Sequence, residues 1–258
     1  MAGSYRRVTI PNKQGLELAG ILEEAGKCKG EEEVCILCHG FRSSKDSSTL
    51  SSLSKALVEA GMSTFRFDFQ GNGESQGEFA YGNYWREVED LRAVIEYWKA
   101  QGRRVETIIG HSKGGNCVLL YASKYHDVPN IVNISGRFSL DAGVMTRLGG
   151  QEGLQKLEKD GFLDIKDGAG NVEYRVTKES LEDRLSTDMN AACLAIPKEC
   201  HVLTIHGAKD EVVPVEDAYK FSQKISTHSL SILDNANHGY RSHQRDLAQC
   251  VLDFVKDG

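Results

Sequence analysis

The sequence predicts an α/β fold in which a mostly parallel sheet is covered by helices on both faces. Short apolar runs that suit buried strands alternate with segments whose apolar residues recur at helical spacing, and this alternation is typical of parallel sheets. The chain has 258 residues, of which 40% are hydrophobic, enough for the core of one large domain covering residues 1–258. No internal repeat interrupts the pattern.

The first half of the chain begins with two predicted antiparallel strands, residues 7–10 and 16–22, around a turn at 12–15. The run 34–38 is apolar throughout, as expected of a strand buried on both faces. The patterns that follow predict a helix carrying Leu50, Leu53 and Leu57, a strand over 63–69, and a helix with Trp85, Val88, Leu91, Ile95 and Trp98 on one face.

The second half continues the same alternation. Predicted strands cover 105–110, 131–134, 202–205 and 230–233. Predicted helices lie over 115–125, within 215–225, and at the C-terminal end, where Leu247, Val251, Phe254 and Val255 share one face. These elements extend the predicted parallel sheet.

Residues 110–114, with the sequence G-H-S-K-G, match the motif G-x-S-x-G between a predicted strand and a predicted helix. In this motif a serine occupies a strained turn, and glycines are needed because larger side chains would collide with the strand and the helix. Ser112 is therefore the candidate nucleophile. The alternative is a glycine-rich loop whose serine only caps the helix.

A serine nucleophile needs a base and an acid that orients the base. Asp210 follows the predicted strand 202–205 and His238 follows the strand 230–233, so both lie where parallel strands end. The chain order Ser112, Asp210, His238 is that of the α/β-hydrolase triad. His243 is the alternative base and Glu211 the alternative acid.

Further motifs precede the serine, C-H-G-F at 38–41 and D-F-Q-G-N-G-E-S at 68–75. With the serine, aspartate and histidine loops, they resemble the α/β-hydrolases of the serine aminopeptidase-like, esterase and monoacylglycerol-lipase branch. The likeness to small cinnamoyl- and feruloyl-type esterases is closer, and S-K-G-G at 112–115 also resembles plant members. The resemblance implies an α/β-hydrolase fold with a central sheet of about eight strands and a variable cap.

The oxyanion of acyl transfer requires preorganised donors. The backbone N–H of Lys113 is one candidate, because it opens the helix after the nucleophile. The family resemblance implies the backbone N–H of Phe41 as the second. No chemistry is assigned to the amine of Lys113.

Residues 137–187 break the alternation, since they are charged and helix-prone, contain no apolar strand, and include an evident turn at 167–171. We interpret the segment as a helical cap inserted over the active site, with an ordinary surface excursion as the alternative. The segment contributes Phe138, Leu140 and Met145 to a predicted apolar substrate pocket, and Phe41 from the first half of the chain is predicted to join them.

The predicted function is that of a cofactor-free serine hydrolase acting on small to medium carboxylic esters. The alternatives are a hydrolase of amides or thioesters with the same residues, and a receptor that only binds its ligand.

The net charge of −6 argues against nucleic acid as a partner, and no apolar run is long enough for a membrane span. Seven cysteines without an export signal predict reduced thiols in the cytoplasm. C-x-x-C-H at 35–39 is read as a strand rather than a haem or metal site, so no cofactor and no metal are expected.

Overall fold

The computed structural model describes residues 5–26 and 33–257 of the chain. Within them lie ten strands: β1 (Tyr5–Pro11), β2 (Glu17–Glu23), β3 (Cys35–Cys38), β4 (Thr64–Phe67), β5 (Thr107–His111), β6 (Asn130–Ile134), β7 (Phe162–Lys166), β8 (Val172–Thr177), β9 (His201–Gly207) and β10 (His228–Leu233). The same ranges contain nine helices: α1 (Ser48–Glu59), α2 (Tyr84–Ala100), α3 (Lys113–Tyr125), α4 (Val144–Arg147), α5 (Gly150–Asp160), α6 (Lys178–Ser186), α7 (Met189–Ala195), α8 (Glu216–Lys224) and α9 (Gln244–Asp257).

Eight of these strands form one sheet in the order β1-β2-β4-β3-β5-β6-β9-β10. The pairs β1–β2 and β2–β4 are antiparallel, and every other neighbouring pair is parallel. The predicted mostly parallel sheet of about eight strands is thus confirmed. Because β5, β9 and β10 run the same way, the loops that follow them lie at one edge of the sheet.

Helices cover both faces of this sheet. One face packs against α2, α3, α7 and α8, and the other packs against α1 and α9. Cys38 belongs to the first apolar cluster and Cys35 to the second, as the alternation of a strand requires. On α2 the predicted apolar face is buried except for Trp85, which is 38% exposed in the first turn and lies beside the amine of Lys124.

Residues 137–187 contain three helices, α4, α5 and α6, together with the antiparallel hairpin β7–β8. The segment is expected to be helical and without an apolar strand, so the hairpin of two mixed strands corrects the helical part of that expectation. Both strands are short and carry charged residues on their outer face, so their period-two pattern is weak in the sequence. The predicted turn at 167–171 is the hairpin loop, in which Oδ1 of Asp167 accepts from the N–H groups of Ala169 and Asn171.

The six cysteines within the described residues are free thiols. Cys28 lies outside the described residues, as do the first four residues of the chain. The expectation about thiols rests partly on the former and the expectation about export partly on the latter. No helix in the described ranges has both the length and the apolar character needed to cross a membrane.

Candidate active site

Ser112 occupies the sharp turn between β5 and α3. Its backbone has φ 57° and ψ −119°, a conformation that a non-glycine residue adopts only under constraint, and its N–H donates to the carbonyl oxygen of Ile134 at 2.7 Å. A Cβ on Gly110 would lie 2.0 Å from the carbonyl oxygen of Gly114, and one on Gly114 would lie 2.5 Å from that of Cys38. The steric argument for both glycines is therefore correct.

The side chains of Ser112, His238 and Asp210 form a hydrogen-bonded chain. Nε2 of His238 lies 3.0 Å from Oγ of Ser112, and Nδ1 of His238 lies 2.7 Å from Oδ2 of Asp210. A carboxylate only accepts hydrogen bonds, so the neutral ring donates from Nδ1 and its Nε2 accepts from the serine hydroxyl. The structure thus joins a hydroxyl, a base and an acid in the order that nucleophilic activation requires.

The carboxylate of Asp210 is fully buried and firmly held. Its Oδ1 accepts from the N–H groups of Val212 and Val213, both at 2.8 Å, and its Oδ2 lies 3.3 Å from Nε2 of His206. Burial by itself would raise the pKa of Asp210, but the hydrogen bonds with His206 and His238 and the backbone bonds outweigh it and hold the pKa well below its usual range. The acid is therefore ionised and oriented.

The two alternative residues occupy other places. Oε2 of Glu211 accepts from the backbone N–H of His238 at 3.2 Å. His243 donates its backbone N–H to Tyr240, and α9 begins at the next residue. In the described part of the chain, no hydrogen bond joins either side chain to Ser112 or to the ring of His238. The geometry therefore brings together the preferred candidates and not their alternatives.

The turn after β3 lies directly against the serine. A Cβ on Gly40 would be 3.0 Å from Cβ of Ser112, so the backbone at this point approaches the nucleophile as closely as sterics permit. Phe41 follows in this turn, and Lys113 opens α3 on the other side of the serine. In the described ranges neither backbone N–H donates to a backbone carbonyl, so the backbone uses neither donor.

His39 holds this turn from inside the core. Its Nε2 accepts from the N–H of Phe69 at 3.1 Å, so its Nδ1 carries the proton and donates to the carbonyl oxygen of Gly40 at 2.8 Å. Burial lowers the pKa of His39 and keeps the ring neutral. These contacts give His39 a structural position in the core.

The family model described as serine aminopeptidase, S33, matches residues 30–163, just over half of the chain. The protein belongs to this α/β-hydrolase family. Relatives include the uncharacterized protein YDL057W of Saccharomyces cerevisiae, 26% identical over 93% of this chain and 78% of its own. Another is the mitochondrial palmitoyl-protein thioesterase ABHD10 of Bos taurus, 21% identical over 90% of this chain and 74% of its own.

Among solved structures, this hydrolase resembles Est1E from Butyrivibrio proteoclasticus with bound ferulic acid. The TM-score is 0.78 with 21% identity, and the match covers 97% of this chain and 98% of Est1E. At that identity the likeness establishes the α/β-hydrolase fold, in agreement with the sheet order described above. The suggested origin in plants stays a prediction.

The residues predicted to bind substrate are not all in one place in this S33 family member. Leu140 is 4% exposed and packs in the main core, so it is not available to a ligand. Phe138 packs edge-on against Phe221 of α8, with ring centres 5.2 Å apart. Met145 is 44% exposed on α4. We therefore omit Leu140 from the proposed site.

Phe41 lies in an aromatic cluster formed with Phe79, Tyr81 and Tyr174. The ring of Phe41 is 5.3, 5.8 and 5.4 Å from these three, all edge-on. Tyr174 comes from the hairpin β7–β8, so this cluster connects the segment 137–187 to the turn after β3 that contains Phe41. Sequence reasoning missed the other three rings, because no short pattern links positions this far apart in the chain.

Two neighbours of Ser112 also have contacts that the motif does not reveal. Nε2 of His111 lies 2.8 Å from the carbonyl oxygen of His238. Burial and the nearby His238 lower the pKa of His111 to about 4, so its ring is neutral. On the other side, the amine of Lys113 forms a buried ion pair with Glu87 of α2.

Proposed function

We propose that this hydrolase is a serine esterase that cleaves small to medium carboxylic esters through an acyl-enzyme intermediate. The observation that carries the proposal is the hydrogen-bonded chain from Ser112 through His238 to Asp210, beside two backbone N–H donors. Membership of the S33 family agrees with hydrolytic chemistry.

In the proposed reaction, Oγ of Ser112 attacks the acyl carbon while Nε2 of His238 takes the hydroxyl proton. Asp210 keeps the proton of the ring on Nδ1 and stabilises the imidazolium that forms. The N–H groups of Phe41 and Lys113 bind the developing oxyanion. His238 then protonates the leaving alcohol, and a water molecule, activated by the same ring, releases the acid and regenerates Ser112.

The ester substrates proposed here carry an apolar acyl or aryl part. Phe41 combines a proposed oxyanion N–H with a ring in the aromatic cluster, so we place the apolar part of the substrate against this cluster. The ferulic acid bound to Est1E is an aryl acid and supports this choice by analogy. The thioesterase ABHD10 makes thioesters the second candidate class.

Segment 137–187 is proposed to act as a cap that selects substrates. Its members Val144, Leu157, Tyr174 and Val176 form an apolar cluster with Tyr81, separate from the two clusters on the faces of the sheet. A unit with its own core can vary in shape without disturbing the sheet. Changes in this segment should therefore alter relative rates among esters more than they alter stability.

A fluorophosphonate probe tests the nucleophile. The protein should be labelled and the Ser112→Ala variant should not, while Ser135→Ala, which changes another buried serine, should be labelled normally. Aryl esters and aryl thioesters of graded chain length should then show multiple turnovers. Labelling of Ser112→Ala would contradict the assignment, and a single stoichiometric event without turnover would favour a receptor.

A further inference from the structure

Three arginines, Arg42, Arg147 and Arg184, stack on rings of the aromatic cluster. A fourth, Arg137, lies close enough to Arg147 and Arg184 for their charges to act on it, and the four are here named the arginine cluster. The guanidinium carbon of Arg147 lies 5.4 Å from the centre of the Phe41 ring. Those of Arg42 and Arg184 lie over two other rings of the aromatic cluster, at 4.9 and 5.1 Å. Such stacking holds planar cations in place, and the two exposed members, Arg42 and Arg147, can still present N–H donors to an acceptor.

These positive charges are poorly compensated. In the described part of the chain, one member has a carboxylate within ion-pair distance, Arg42 with Glu173 at 3.1 Å. Arg184 donates to a carbonyl oxygen and a tyrosine hydroxyl, and Arg137 donates to carbonyl oxygens. Burial lowers the pKa of Arg137, and the like charges of Arg184 and Arg147 lower it further. The group is therefore locally cationic in a chain whose net charge is −6.

The neighbouring carboxylate of Asp217 does not neutralise this group. Its charge acts on Arg137, but its Oδ1 lies 3.0 Å from Nζ of Lys220 and its Oδ2 accepts from the N–H of Phe138. Mutually repelling guanidinium groups without matching acids are costly to hold together, and an incoming anion would relieve that cost.

Two members of the arginine cluster contact residues close in sequence to the proposed catalytic groups. Arg147 stacks on Phe41, whose N–H is a proposed oxyanion donor. The guanidinium of Arg137 donates to the carbonyl oxygen of Val212, two residues after Asp210. A substrate whose acyl carbon lies at Ser112 would thus have cationic groups beside its distal parts.

We propose that the arginine cluster binds a carboxylate carried by the substrate away from the bond that is cleaved. The preferred substrates would then be half-esters or half-thioesters of dicarboxylic acids, or esters of carboxylated alcohols, with an apolar spacer against the aromatic cluster. A guanidinium matches a carboxylate with paired N–H donors, which neither an ammonium nor an apolar wall provides. This inference rests on the proposed esterase function and specifies its substrate class.

Matched pairs of esters test the inference. One pair places the charge on the acyl side, para-nitrophenyl hemiglutarate against para-nitrophenyl pentanoate. A second pair places it on the leaving group, para-carboxyphenyl butyrate against phenyl butyrate. We expect kcat/KM to favour the anionic member of at least one pair, and the preference to weaken as ionic strength rises.

Arg147→Gln should reduce that preference about tenfold, the usual effect of losing a charge-assisted hydrogen bond, and Arg147→Lys should restore part of it. Arg175→Gln is the matched control, because Arg175 is an exposed arginine on the same hairpin strand as Tyr174 but pairs with Asp164 at 2.7 Å. It should leave the preference unchanged.

A binding measurement keeps the inference separate from the esterase proposal. Calorimetry on Ser112→Ala with monoethyl glutarate and with ethyl pentanoate should show tighter binding of the anion, and the difference should disappear in Ser112→Ala/Arg147→Gln. Turnover of neutral esters with no preference in either pair would overturn the inference and leave the esterase intact. Absence of turnover with all esters would overturn the esterase, and the calorimetry would then decide whether the anion site exists.

Discussion

The amine of Lys113 and the carboxylate of Glu87 form a buried ion pair, with Nζ 2.7 Å from Oε1 and both side chains about 4% exposed. The amine also lies 5.0 Å from the ring centre of Tyr84, and Oε2 of Glu87 accepts from Sγ of Cys117. Lys113 directly follows the proposed nucleophile. The pair therefore anchors the start of α3, and with it the turn of Ser112, to α2.

Removing one partner of this pair should be strongly destabilising. Lys113→Met leaves the Glu87 carboxylate buried without its cation, and we expect a loss of about 3–5 kcal/mol in the free energy of unfolding. The double variant Lys113→Met/Glu87→Leu should recover much of that loss. Lys13→Met is the control, because the Lys13–Glu89 pair has a similar distance, 2.6 Å, but its lysine is 61% exposed. Urea unfolding measures all three, and equal losses for Lys113→Met and Lys13→Met would contradict the argument.

The proposed acid and the proposed base each have an alternative candidate nearby in the sequence, Glu211 and His243, and both alternatives should be dispensable. Asp210→Asn and His238→Ala should lower kcat by at least about a thousandfold, because the members of such a triad act as a unit. Glu211→Gln and His243→Ala should retain activity within a few fold. Steady-state kinetics on an aryl ester check this. An inactive His243→Ala beside an active His238→Ala would show that the base is wrongly assigned.

His111 is expected to position His238 rather than to react. Its neutral ring donates from Nε2 to the carbonyl oxygen of His238, so His111→Leu should lower kcat roughly fivefold to tenfold, the value of one hydrogen bond, with little change in KM. His111→Gln retains a side-chain N–H donor and should recover part of the rate. If both variants lose activity only in proportion to a fall in Tm, the role of His111 is structural.

Stability should fall on mild acidification. Burial lowers the pKa of His228 to about 4, and that of His111 is also about 4. Below about pH 6.5, the ordinary pKa of histidine, these two side chains take up protons in the unfolded chain but not in the folded one. The stability that they contribute is therefore present above about pH 6.5 and is lost as the pH falls towards 4.

Urea midpoints measured between pH 7.5 and 4.5 test this linkage. His228→Asn should flatten the dependence, since it removes a titrating group whose Nε2 is 2.8 Å from Oγ1 of Thr204. His126→Asn is the control, because His126 is exposed and asparagine tolerates its φ of 54°. An unchanged slope in His228→Asn would refute the assignment.

Much of the site was predictable because its signals are local. The glycines around Ser112 follow from contacts between adjacent elements, and Asp210 and His238 lie in loops directly after strands, where a parallel sheet gathers its functional groups. The pocket was less predictable. Leu140 is apolar and belongs to the segment expected to cover the site, but its side chain is buried in the main core. Sequence does not give the direction of a side chain in an irregular loop.

The sequence by itself determined the chain order of the eight strands of the main sheet and of the helices α1, α2, α3, α8 and α9. It also determined the serine turn and the identity of the three residues that form the hydrogen-bonded chain. Periodicity and strand ends are properties of neighbouring residues, so they can be read before the chain is folded. Only the tertiary structure decided that Lys113 meets Glu87, that His111 holds His238, and that three arginines stack on one aromatic cluster. These contacts join distant parts of the chain, and they depend on how whole elements pack.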